Sequence, residues 1–132
     1  MKKPKLKQTS KWSTKKPLYI EKTEKGYNNH LMQLKENGFC DAETWNLDGV
    51  ISEFILPRLK RFKEVNICYP HDLTPAKWNE ILDKIIFAFE WNIMCDIVDD
   101  HRKLSIKEEA INWKKHKDGM QLFVKYFRNL WW

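Results

Sequence analysis

Glycine and proline are scarce in this chain, four and five among 132 residues. An all-β fold needs many tight turns and draws on both, so the shortage points to helices before any pattern is read. It also removes chemistry that depends on glycine: no phosphate-cradling loop, dinucleotide fingerprint or glycine-flanked nucleophilic serine is present. Cysteine is sparse too. Cys40, Cys68 and Cys95 are too few, and odd in number, for a secreted disulfide framework, and reduced thiols are expected. No apolar run approaches the roughly 18 residues of a membrane span, and the lysine-rich first residues lack the apolar segment of a signal peptide. A soluble, cytoplasmic protein that does not enter a membrane is the expectation.

What is plentiful is aromatic surface and lysine. Seven Trp, seven Phe and four Tyr supply large areas to bury in a core or at an interface. The net charge of +6 is uneven. Residues 1–26 hold nine Lys against Glu21 and Glu24, or +7, while the 15 basic and 16 acidic side chains of the remainder leave −1. Residues 1–26 therefore read as a basic, flexible arm, and residues 27–132 as a single helical domain. Lys2, Lys3, Lys5, Lys7, Lys11, Lys15 and Lys16, with Trp12, are candidates for contact with nucleic acid, ammonium on phosphate and indole on a base. No arginine stands among them, so the bidentate fork is missing and contact would be non-specific. A solubilising tail is the alternative.

Apolar spacing predicts an all-α fold, a compact bundle of three main helices at about 43–64, 75–98 and 106–131. A shorter helical piece over His30–Glu36, stopped by Asn37-Gly38, precedes them. In the first main helix, capped by Asp41 or Thr44, Leu47, Val50, Ile51, Phe54, Ile55, Leu59 and Phe62 form one face, and Pro57 is expected to kink or split it. Thr74 and Pro75 make a clear start for the second. Trp78, Ile81, Leu82, Ile85, Phe89 and Ile93 line one of its sides; Phe87, Trp91, Met94 and Val98 line the other, leaving that stripe for the third helix or a partner. Ser105 and Glu108 have capping-box spacing. The third helix carries Ile106, Ala110, Trp113, Met120, Val124, Phe127 and Trp131 on one stripe, interrupted by Lys117, with Gly119 a point of weakness.

Asp48, Arg58, Asp83 and Glu90 fall within or beside these apolar faces, while Lys60 and Lys63 point away. Charges facing a core must be paired, so the four are expected to form a buried network across the first two helices, structural or able to hold a hard cation. Helical carboxylate metal sites bring Glu-x-x-His pairs, and none occurs; Cys68 with His71, and Cys95 with His101, are spaced too loosely for a zinc centre. No metal, cofactor or catalytic residue is assigned. Trp131 and Trp132 either dock on the core or anchor a partner, joining Phe87, Trp91 and Met94 as partner-surface candidates.

Gly38-Phe39-Cys40-Asp41, Thr44-Trp45-Asn46-Leu47-Asp48, Pro57-Arg58-Leu59-Lys60-Arg61-Phe62, Tyr69-Pro70 and the Leu73–Phe89 helix form one set of motifs, and Gly119-Met120-Gln121-Leu122-Phe123, Lys125-Tyr126-Phe127 and Leu130-Trp131 a second. Together they resemble a family of small uncharacterised proteins encoded by tailed bacteriophages and prophages. The likeness covers residues 38–90 and 119–131, half the chain; Cys68 departs from a glycine expected before Tyr-Pro, and the arm lies outside it. The resemblance implies a phage-encoded protein at work in the cytoplasm of a host bacterial cell, and no particular activity. The leading expectation is a non-enzymatic accessory protein that binds a host or viral protein or other macromolecule. The alternatives are nucleic-acid binding through the arm, a carboxylate-based metal protein or enzyme, and a virion or assembly component. A homodimer through the second stripe of the central helix is a further possibility.

Overall fold

The computed structural model describes residues 22–95 and 103–132, and every regular element among them is helical. The elements are α1 (Tyr27–Asn37), α2 (Ala42–Trp45), α3 (Leu47–Val65), α4 (Pro75–Ile93) and α5 (Ile106–Tyr126), with a 3-10 turn over Phe127–Asn129. The chain divides into two compact units, residues 1–50 and 51–132, with the boundary inside α3. No helix among the described residues is long and apolar enough to cross a membrane.

In the first unit α1 begins three residues before the expected piece and ends at the expected stop. Gly38 takes φ 80°, a left-handed conformation, and its N–H donates to the Leu34 carbonyl. Asp41 does not cap the next helix with its carboxylate, because Gln33 claims it: the Gln33 amide donates to Asp41 Oδ2 at 2.9 Å and accepts the Asp41 N–H at 2.9 Å. Glu43 is buried and accepts the Cys40 N–H at 2.7 Å. Burial pushes the Cys40 thiol above its ordinary range. The expected first main helix is interrupted at Asn46, not at Pro57, which α3 carries in its interior without a break. Pro57 is exposed, on the side where water can replace the missing N–H bond.

In the second unit α4 is central. Thr74 Oγ1 accepts the Lys77 N–H at 3.2 Å and Pro75 occupies the first turn, as the sequence predicts. Trp78, Ile81, Leu82, Ile85, Ile86 and Phe89 form the core with Leu59 of α3 and Tyr126 of α5. The expected extension of α4 to Val98 lies outside the described residues beyond Cys95. α3 runs antiparallel to α4: Ser52 meets Asn92, and Lys60 and Lys63 reach Glu90 and Asp83. α5 opens with the predicted capping box, both bonds at 3.2 Å, and also runs antiparallel to α4. Edge-to-face ring pairs mark that seam, Trp78 with Tyr126 at 5.5 Å, Phe89 with Phe123 at 5.0 Å and Trp91 with Trp113 at 5.6 Å.

Gly119 does not break α5; it lets the two helices approach closely. A Cβ there would fall on the Lys84 carbonyl oxygen and 2.7 Å from the Ala88 Cβ. α5 therefore turns Asn112, His116, Gly119, Phe123 and Tyr126 toward the unit's interior, at alternating spacings of four and three. The stripe that apolar spacing picks out is only partly covered: Met120 packs on the core and Trp113 on Trp91, while Ile106 is 89% exposed and Val124 75%. The physical reason is proximity. Backbones pack closest where side chains are smallest, and Gly119 against Ala88 outweighs a more apolar face that would hold the helices apart.

Candidate functional site

The charged residues singled out in the sequence do not form a buried network. Asp83 and Glu90 are exposed and pair with Lys63 at 2.6 Å and Lys60 at 3.0 Å, the two lysines expected to point away. Arg58 is exposed as well; its guanidinium donates to the Phe54 carbonyl at 2.7 Å and lies 3.8 Å over the Phe54 ring. Asp48, in the first unit, is exposed. The wheel places these side chains beside apolar faces, yet their positions are at the solvent edge: Lys60 and Lys63 extend their long stems to meet Glu90 and Asp83 there, and Arg58 turns its own along α3. No group of three His, Cys, Asp or Glu suited to a metal ion occurs among the described residues. Cys68 and His71 are both exposed, while His101, the distant partner in the looser zinc pairing, lies outside those residues. So do Lys2, Lys3, Lys5, Lys7, Lys11, Trp12, Lys15 and Lys16 of the arm.

A polar trio that the sequence reading missed ties the second unit together. Asn92 of α4 donates to Ser52 Oγ of α3 at 3.3 Å, and its carbonyl oxygen lies 2.6 Å from His116 Nε2 of α5. With the amide so turned, His116 donates through Nε2. The imidazole meets Asn92, not Ser52, so the trio is no nucleophile and base pair. Its only sequence signal was polarity at three positions on apolar helices, which is common on solvated faces as well.

Burial pushes the His116 pKa below the usual histidine value. The unfolded chain therefore takes up a proton at pH values where the folded one does not. The stability this difference confers is complete above the ordinary histidine pKa of about 6.5 and is lost as pH falls from there through the lowered folded value. Thermal melts between pH 7.5 and 5 should show a falling midpoint, and His116→Gln, which can still donate to Asn92, should show a shallower fall. Parallel curves for the two proteins would refute this role for His116.

The partner-surface candidates separate. Trp91 is fully buried, its ring set edge-on against Trp113 of α5, so this chain's own third long helix covers it. Phe87 and Met94 are half-buried. Trp131 and Trp132 are each 67% exposed, and Leu130 packs on the core in their place. Ile106, Val124 and Phe127 form an outward stripe on α5, with Trp113, whose ring also packs on Trp91, at its border, and the two C-terminal tryptophans are exposed beyond the helix's end. A shallow apolar hollow of about 440 Å³, lined by His116, Lys117, Met120, Gln121 and Val124, lies along it.

On the other flank of α5 a larger groove of about 690 Å³ runs between α4 and α5, with Phe87 and Leu122 among its lining. Glu80, Asp83 and Asp118 line it too, and each is held by lysine: Glu80 by Lys84 at 3.2 Å and Lys77 at 3.3 Å, Asp83 by Lys63, Asp118 by Lys114 at 3.6 Å. The bonds from Lys84 and Lys77 hold the Glu80 carboxyl below its usual range.

Comparison with family models, with curated proteins and with solved structures gives no match for this chain. The fold and these surfaces define a helical protein with two outward-facing features along α5.

Proposed function

We propose that this is a non-enzymatic accessory protein that binds a host or viral protein through the outward stripe of α5. The observation that supports the reading is the exposure of Ile106, Val124 and Phe127, spaced along one side of α5, together with that of Trp131 and Trp132 beyond its end. Soluble proteins seldom expose contiguous apolar patches beyond a few hundred Å², and tryptophan is the residue most enriched at binding hot spots. The resemblance of its motifs to phage-encoded proteins implies, as part of the same proposal, that it works in the cytoplasm of an infected bacterium.

The test is a Val124→Ser/Phe127→Ser variant. Both side chains are exposed and Phe127 meets the core only through its edge-to-face contact with Phe123, so the loss of stability should stay at about 1 kcal/mol. Affinity purification from infected host cells should recover a discrete protein with the parent and lose it with the variant. Equal recovery by both would defeat the proposal. Sedimentation of the purified chain separates the remaining case: a dimer that the variant abolishes would make the stripe's occupant a second copy. Nucleic-acid contact through residues 1–26, supported by their +7 charge, is the second reading; it ranks lower because it leaves the stripe without a role.

A further inference from the structure

The groove between α4 and α5 combines an apolar floor with unmatched positive charge. Its volume of about 690 Å³ lies within the roughly 300–1,000 Å³ of small-molecule sites. Phe87 and Leu122 supply half-buried apolar surface. The three carboxylates on its walls are already engaged by lysines. Lys115 and Lys125 also line it, and neither has a carboxylate within ion-pair distance among the described residues. Their ammonium groups lie instead over aromatic rings, Lys115 5.6 Å from the Phe87 centroid and Lys125 5.3 Å from that of Tyr126. Ten residues apart on α5, they stand about 15 Å from each other along the helix axis.

We propose that this groove binds a single-chain anionic amphiphile, a medium-length alkyl carboxylate taken up as a free monomer. The alkyl chain lies on Phe87 and Leu122, and the carboxylate pairs with Lys115 or Lys125, which no carboxylate of the described residues engages. An ion pair beside apolar surface is less screened than one in open water, so the head group contributes to affinity and not only to steering. A cation of the same length would meet two ammonium groups and only carboxylates already engaged. This site is independent of the α5 stripe, since Val124 and Phe127 are not among its lining residues.

Sodium decanoate below its micelle concentration is the probe, titrated into the full-length protein by calorimetry and followed by backbone amide shifts. Decanoate should bind with shifts at Phe87, Lys115 and Leu122, and decyltrimethylammonium at least tenfold more weakly. A Lys115→Glu/Lys125→Glu variant should lose at least tenfold in decanoate affinity with an unchanged melting curve. If charge reversal lowers the melting point, Lys115→Ala/Lys125→Ala takes its place. The Val124→Ser/Phe127→Ser variant should bind decanoate as the parent does. The proposal is overturned by equal affinity for the two amphiphiles, by an unaltered affinity in the lysine variants, or by shifts confined to the α5 stripe. Binding to vesicles of anionic lipid without binding of the monomer would overturn it as well.

Discussion

Gly119→Ala should destabilise the protein by about 3 kcal/mol, the upper part of the range for overpacking a well-filled interior. On an isolated helix the same change would stabilise by about 1 kcal/mol, because alanine is the better helix former. The sign of the effect therefore decides between the two. The added Cβ would fall on the Lys84 carbonyl oxygen and 2.7 Å from the Ala88 Cβ, and a backbone atom cannot swing aside as a flexible side chain does. Relief requires the whole α4–α5 seam to part, and with it the Phe89–Phe123 and Trp91–Trp113 pairs. Urea titration measures the loss directly, and a stabilised variant would show that the helices do not meet here.

Trp91→Ala should cost about 4 kcal/mol, in line with other large aromatic truncations in cores. Trp91 is fully buried, and its removal takes away both its own packing and the edge-to-face surface that holds Trp113. The contrast with Trp131→Ala, at a residue 67% exposed, makes the test sharp: that change should move stability by no more than about 0.5 kcal/mol. Similar losses from the two substitutions would mean that the assignment of inner and outer faces is wrong.

These two residues also show where reading the sequence stops. Trp91 was legible as part of an apolar stripe, and the choice between coverage by the third long helix and coverage by a partner was not, because helical spacing says which residues share a face and never what lies opposite. Gly119 was legible only as a weak helix former. Its value lies in having no side chain at the point where another backbone passes, and that point is defined by α4, thirty-five residues away at Lys84. The candidate site fared in the same way. The helical wheel alone reads Asp83 and Glu90 as buried charges, whereas their surface ion pairs with Lys63 and Lys60 depend on how α3 lies against α4.

The helical class and the local punctuation of the chain are encoded in neighbouring residues: the Thr74 cap, the capping box of Ser105 and Glu108, and the stop at Gly38. Each of these is a bond between residues three or four apart, so it is written in adjacent letters. Which side of α5 turns inward is settled by packing between distant parts of the chain. That choice depends on close approach at Gly119 and Ala88 and on summed packing along α4, and it leaves Ile106, Val124, Phe127 and the last two tryptophans facing out.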